Sequence, residues 1–270
     1  MPDDSSVRVL ERACQVLDCF TAAQPRLRIA DLRRLTGLPP TTVARIVKTL
    51  VAEELLERNG DEYRLGLRVL VWTAPATAGS DLIAVSGPVV EQVRDYTGET
   101  TGVYVRQGAN RVAVSVALSN FSVIYRGHVG QVRPLHAGAA GKVFMAFDEA
   151  ALDAALRRGL ARFTDRTITN PDRLRDELAA VRELRWAFAA EENEAGLNSL
   201  AAPILGANGL IVATLAVGAP SFRLSREAAE GMVPMVCAAA LSISQRLGYT
   251  GHLTTAAERA AAAAPKEAGR

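Results

Sequence analysis

Residues 37–50 read GLPPTTVARIVKTL. On a 3.6-residue period, Val43, Ile46, Val47 and Leu50 share one side, while Thr41, Thr42, Arg45 and Lys48 share the other. Pro39 and Pro40 suit the opening of such a helix, because first-turn N–H groups have no partner within the helix to lose. The stretch is half core-forming and half polar. A polar stripe on an isolated helix is most often a solvated face, so its meaning depends on what flanks it.

Upstream, Val7, Leu10, Cys14, Leu17 and Phe20 recur at spacings of three and four, which predicts an amphipathic helix capped by Ser5 or Ser6. After a break at Pro25, IADLRRLTG (29–37) predicts a short second helix built on Ile29, Leu32 and Leu35. Gly37 ends it in a left-handed cap, and Leu38 follows as a buried turn residue. Downstream, LLERNGDEYRLG (55–66) holds two short runs around Asn59-Gly60, a strong hairpin signal. Helix, helix, turn, helix and hairpin over residues 6–66 outline a winged helix-turn-helix. In that setting the short-chained, cationic stripe of the third helix, followed by a wing carrying Arg58 and Arg64, points to DNA.

The chain has 270 residues, 49% hydrophobic and 22% charged, enough to bury one large core or two ordinary ones. Net charge is only +2, which argues against a polyelectrolyte role for the whole chain. Its distribution is uneven: residues 6–68 hold 11 Lys/Arg against 8 Asp/Glu, and residues 69–270 hold 20 against 19. The first segment is basic enough to permit phosphate contact. The amino terminus lacks the pattern of a secretory signal, and the longest apolar stretch, 209–220, is too short to span a bilayer. The three cysteines, Cys14, Cys19 and Cys237, form neither a disulfide framework nor a metal-ligand spacing. A cytoplasmic protein with no membrane partner is expected.

Residues 67–80 predict a linker helix that frays at Pro75. A further helix over 81–98 would bury Leu82, Val85, Val89, Val93 and Tyr96. TTGVYVRQ, RVAVSVALS and FSVIYRGHV then read as three successive strands, followed by a helical middle. AFAAEE, SLAAPILG and LIVATLAVG supply three more strands, and a helix covers about 226–247. Strands in two groups around central helices predict an α+β domain over 81–250, a mostly antiparallel sheet flanked by helices. Residues 251–270 have no apolar face and predict a flexible tail.

Several motifs invite a catalytic reading and do not sustain one. GAAGK (138–142) resembles part of a phosphate loop, but His136 stands where the pattern needs glycine and Val143 where it needs a hydroxyl. His128, His136 and His252 are scattered. EENE (191–194) is most simply an exposed turn, and no Ser, Cys or Lys has an activating neighbourhood in sequence. No cofactor or metal is expected.

Four stretches together carry a resemblance: TGLPPTTVARIVKTL, YRLG at 63–66, PLHAGAAGKVFMA at 134–146, and EENEAGLNSLAAPIL at 191–205. In this order and spacing the chain resembles the IclR family of bacterial transcription regulators, from about residue 7 to 248. The resemblance implies a winged helix-turn-helix, a linker helix and a GAF-like ligand-sensing domain. It also implies homodimers or dimers of dimers, double-stranded operators that are roughly palindromic, and small carboxylic or aromatic effectors. One departure is Arg33, where alanine is common between the two helices. Either its stem packs while the guanidinium reaches solvent, or the helices sit slightly apart.

The family's effector pocket, carried over by position, falls on Ala139, Ala140 and Gly141, on Ala189, Leu197 and Ser199, and on Ala216 and Gly218. With Ser199 the main hydroxyl left, a roomier, more apolar pocket than a glyoxylate- or pyruvate-type site is expected. Arg133 is placed at the rim as a carboxylate partner and Tyr125 as a wall. Thr41, Thr42, Arg45, Lys48, Arg58 and Arg64 are the expected DNA contacts. Two rival readings stand beside this one: a small-molecule enzyme on a GAF-like scaffold, and a constitutive DNA binder without effector sensing. Repression and activation both remain open, since polarity on a promoter follows from operator position.

Overall fold

The computed structural model describes residues 7–21, 24–78 and 80–251. The caps expected at Ser5 or Ser6, the histidine at 252 and the tail beyond 251 lie outside the described residues. The chain divides into two compact units, Met1–Ser80 and Asp81–Arg270, each with its own core.

The first unit runs α1 (Arg8–Leu17), β1 (Leu27–Arg28), α2 (Ile29–Thr36), α3 (Pro40–Ala52), β2 (Leu56–Asn59), β3 (Glu62–Leu65) and α4 (Arg68–Ala78). Its core gathers Val16 and Phe20, Leu32, the inner side of α3 (Val43, Ile46, Val47, Leu50), and Leu56 and Tyr63 of the hairpin. Gly37 closes α2 at φ 66, its N–H donating to the Arg33 carbonyl at 2.9 Å. Pro40 opens α3, as its fixed φ allows.

Differences from the sequence reading are local. The α1 residues that reach the core fall between 13 and 20, so Val7, Leu10 and Cys14 are exposed instead of forming the inner stripe. Leu35 is also exposed and Leu38 only half-buried. The hairpin loop is Gly60-Asp61, one residue later than expected, because Asn59 pairs with Glu62. β1 adds to the outer edge of β3, giving the sheet order β1-β3-β2; two residues are too few to carry a strand pattern. The helix α4 does not end at Pro75 but runs to Ala78, the proline removing one backbone hydrogen bond without stopping it.

The second unit comprises α5 (Asp81–Thr97), β4 (Thr100–Gln107), β5 (Asn110–Ala117), β6 (Val132–Pro134), α6 (Ala139–Phe147), α7 (Glu149–Arg158), α8 (Pro171–Leu184), β7 (Ala187–Ala190), β8 (Leu197–Leu205), β9 (Ile211–Pro220) and α9 (Arg226–Arg246). The six strands form one antiparallel sheet in the order β6-β5-β4-β9-β8-β7. Alternation assigns its faces. Leu200, Ala202 and Ile204 of β8, with Leu215 and Val217 of β9, pack among Val89 and Val93 of α5 and Val236 and Ile243 of α9. Ala189, Ala201 and Ala216 face the other way, among residues of α6 and α8. Tyr96, expected inside, is exposed. Among the described residues no helix is long and apolar enough to cross a membrane.

FSVIYRGHV is not a strand; only Val132–Pro134 pairs with β5. Side chains from elsewhere satisfy this segment instead of a ladder. Thr100 Oγ1 donates to the Tyr125 carbonyl at 2.8 Å, and Arg223 Nη2 to the Val123 carbonyl at 2.7 Å. Arg223 also pairs with the buried Glu99 at 2.5 Å and lies 4.7 Å from the Phe121 ring centre. The β-branched residues that suggested a strand thus sit in a strapped-down loop.

Candidate functional site

In the first unit, α3 holds its two sides apart as its spacing predicts. Val43, Ile46, Val47 and Leu50 are buried, Thr42 is half-buried, and Thr41, Arg45 and Lys48 are exposed. Among the described residues neither Arg45 nor Lys48 has an ion pair or side-chain hydrogen bond, leaving both cations available to an external anion. Arg33 is exposed, so its guanidinium does not enter the contact between α2 and α3. The wing arginines are more committed. Arg58 Nε donates to the Gly60 carbonyl at 2.8 Å, and Arg64 forks onto Glu57 Oε2 at 2.8 and 2.6 Å. Strand register sets Arg64 opposite Glu57 and Arg58 opposite Tyr63, which puts the two arginines on opposite faces of the hairpin.

In the second unit, a small hollow, partly open to solvent, lies between the sheet, the start of α6 and the 119–131 loop. Strand register builds its floor: Ala189 stands opposite Ser199, and Ser199 opposite Gly218, in one row across β7, β8 and β9. All three are small, so the floor sits low. Tyr125 roofs it, its ring resting where a side chain on Gly218 would be (3.0 Å from an added Cβ). Of the residues expected from sequence, Tyr125, Ala140, Ala189, Leu197, Ser199, Ala216 and Gly218 line this hollow.

Three others lie outside the lining. Ala139 is fully buried, and its N–H donates to Ser199 Oγ at 3.1 Å. Gly141 packs against the Leu135 backbone, where a methyl group would overlap the Leu135 carbonyl oxygen. Arg133 pairs with Glu194 at 3.6 Å.

The walls are more polar than Ser199 alone suggests, because Arg111, Glu192, Asn193, Glu194 and Asn198 also line the hollow. Arg111 is 7% exposed. Its Nη1 donates to the Ala137 carbonyl at 2.9 Å and to the Pro134 carbonyl, and its guanidinium stands 6.0 Å from the Tyr104 ring centre. Burial pulls the Arg111 pKa down, with the two tyrosine hydroxyls opposing, and pushes that of Tyr104 up. Glu192, far from an exposed turn, is 6% exposed. Its Oε1 meets Lys142 Nζ at 2.5 Å and its Oε2 accepts the Gly138 N–H at 3.2 Å. Lys142 also reaches Glu177 at 2.7 Å and the Phe188 carbonyl at 2.9 Å. Burial raises the Glu192 pKa, and Lys142 is the main influence lowering it. The lysine of GAAGK is thus a buried counter-charge beneath the hollow. His136 is buried as well, bonded to the Ala161 carbonyl at 2.8 Å and stacked on Phe163, and burial lowers its pKa.

Sequence reasoning missed Arg111 and Glu192. Alternation in RVAVSVALS puts Arg111 with Ala113 and Ser115, but nothing local reveals that the 134–138 segment closes over that face. Glu192 lies 50 positions from the lysine that neutralises it.

A helix-turn-helix with a sealed inner face and free outer cations, joined to a separate unit with a polar-walled hollow, defines a class: transcription regulators that couple a DNA-binding domain to an effector-binding one. The sequence matches the IclR helix-turn-helix domain over residues 9–60 and the bacterial transcriptional regulator IclR C-terminal domain over residues 75–245. The chain belongs to the IclR family of transcription regulators.

It is 28% identical to the HTH-type transcriptional regulator XynR of Escherichia coli K12, over 90% of this chain and 98% of that protein. It is 28% identical to the HTH-type transcriptional repressor AllR of the same strain, over 91% and 92%. Among solved structures, an IclR-type regulator from Silicibacter sp. TM1040 superposes with a TM-score of 0.79 at 29% identity, over 91% of this chain and 98% of that one. An IclR homologue from Microbacterium hydrocarbonoxydans, solved with 4-hydroxybenzoate, gives 0.73 at 26%, over 88% and 98%. These named relatives are regulators of transcription, not enzymes, and this chain is a regulator with them.

Proposed function

We propose that the chain is a ligand-responsive repressor acting on roughly palindromic double-stranded operators. The helix α3 enters the major groove, with Thr41 and Thr42 on phosphate or base edges and Arg45 and Lys48 on base or backbone. The wing, through Arg58 and Arg64, holds adjacent phosphate. Residues 6–66 form the DNA-binding domain, 67–80 the linker and 81–250 the effector domain. The protein works in the cytoplasm as a homodimer or a dimer of dimers, since one domain's contacts are few and pairing doubles them. Exposed Val7 just before α1, Leu10 on it, and Leu70, Val71 and Trp72 on α4, are apolar surface that such pairing would cover.

The effector is a small carboxylic or aromatic metabolite bound in the hollow beneath Tyr125. It acts by binding one arrangement of the paired DNA-binding domains more tightly than the other. The AllR relative is named a repressor and the Microbacterium homologue was solved with an aromatic acid, which support output and ligand class respectively.

The observation that carries the DNA assignment is the pairing state of α3: two free cations on the face opposite four sealed core residues. Arg45→Ala and Lys48→Ala are expected to weaken operator binding and to make the salt dependence shallower by about one unit of log–log slope each where a phosphate contact is lost. Fluorescence anisotropy across a salt series reads both. Unchanged affinity and slope in both variants would remove α3 as the reading element.

A further inference from the structure

Arg111 holds a positive charge almost wholly out of water, yet has no carboxylate partner among the described residues. The nearby carboxylates are engaged elsewhere: Glu192 by Lys142 and the Gly138 N–H, and Glu194 by Arg133. Arginine stays protonated even when buried, so the charge is not relieved by loss of a proton. Such a group is costly unless something negative meets it.

The geometry states where that something sits. Nη1 is pinned by the Pro134 and Ala137 carbonyls, which fixes the plane of the guanidinium. Nη2 has no acceptor among the described residues and is turned toward Gly138. A Cβ built on Gly138 would stand 2.9 Å from Nη2 and 3.9 Å from Ser199 Oγ. Bare backbone at Gly138 therefore lets Nη2 pack directly against it, in a corner shared with the Ser199 hydroxyl and the opening turn of α6. Fixed donors of this kind favour a planar anion. Beyond this corner the lining changes to Ala189, Ala216 and Gly218 under the Tyr125 ring, which suits an uncharged body.

Building on the effector-sensing assignment above, we infer that Arg111 is the anion-recognising residue of the hollow and selects a monocarboxylate. The carboxylate points inward to Arg111 Nη2 and Ser199 Oγ, and the neutral body points outward beneath Tyr125. This moves the recognising cation from Arg133 at the rim to Arg111 at the base.

The test uses the full chain and matched probes: benzoate and butyrate, their amides benzamide and butyramide, the dianion succinate, and inorganic phosphate. Binding is read by calorimetry and by the rise in melting temperature. In the unsubstituted protein at least one acid binds about tenfold or more tighter than its amide, as expected for a charge-assisted contact. Succinate and phosphate bind more weakly than that acid. Arg111→Gln brings the acid-to-amide ratio close to one, while Arg111→Lys, which keeps charge but loses the fork, retains part of it.

Since Arg111 also pins the 134–138 segment, Ser199→Ala provides a second variant that leaves the pin intact, and it lowers the same ratio. Amides binding as tightly as acids, a ratio unchanged in Arg111→Gln, or preference for succinate or phosphate would overturn the inference and leave effector sensing standing. Binding of none of the six compounds counts against both.

Discussion

Lys142 is held at 2% side-chain exposure against two carboxylates and a carbonyl oxygen, close beneath the hollow. A buried ion pair adds little net stability, but removing one partner strands the other. Lys142→Met should therefore cost about 3–5 kcal/mol in urea denaturation, mostly by leaving Glu192 charged and unpaired. The pH dependence has a definite sign. Burial holds the Glu192 pKa above the usual glutamate value, so the folded chain keeps that proton longer than the unfolded one. Stability from this group accordingly falls as pH rises from the unfolded value through the raised one. Loss of Lys142 extends the interval upward, so the deficit of Lys142→Met grows between about pH 5 and about pH 8. An equal deficit at both pH values would assign the cost to packing instead.

At the scale of elements, the wing and the 119–131 loop lead to separate predictions. Arg64 is tied to Glu57 in a largely exposed pair, and exposed pairs contribute about 0–1 kcal/mol. Breaking it to reach a phosphate is thus cheap, and Glu57→Gln should tighten operator binding a few-fold at low salt while steepening the salt slope. A weaker or unchanged affinity would place Arg64 outside the interface.

The loop depends on Arg223, which joins buried Glu99 to the Val123 carbonyl and the Phe121 ring. Arg223→Ala leaves Glu99 buried without its cation. It should destabilise the domain by about 3 kcal/mol and raise amide hydrogen exchange across 121–127. Exchange that rises uniformly over the domain would show global weakening and no specific strap. This loop also marks where sequence reading stopped. Helices and central strands were legible because each carries its own apolar period, in α3 and in β8 and β9 above all. FSVIYRGHV carried a strand composition, but its outcome was decided by Thr100 and Arg223, the latter about 100 positions away.

For the molecule as a whole, the two units bury separate cores: Val16, Leu32 and α3 in one, the two faces of the six-stranded sheet in the other. A unit of about 80 residues buries a smaller fraction of its surface than one of about 190. Scanning calorimetry should resolve two transitions, the first unit melting lower. Operator DNA should raise chiefly the first and a bound acid chiefly the second, each by mass action. One transition moved equally by both ligands would mean that the cores unfold as a single cooperative body.

The same division explains how much of the site was readable. The small lining residues fall where their strands and the GAAGK segment are evident in the sequence. The charges around them meet only through folding, as with Arg111 and the carbonyls of 134 and 137, or Glu192 and Lys142.

The row formed by Ala189, Ser199 and Gly218 works as a graduated ledge. At Ala189 a step of one carbon atom raises or lowers the chamber floor by the width of a methyl without touching a backbone hydrogen bond of the sheet, whereas a side chain on Gly218 would have to push the Tyr125 ring aside and Ser199 is held as the acceptor of the Ala139 N–H. A step of that size is worth about 0.8 kcal/mol to a molecule resting on it, roughly a fourfold preference. Descendants of this chain could thus exchange one metabolite for a slightly longer or bulkier one through single codons, leaving the surface that meets the genome unaltered.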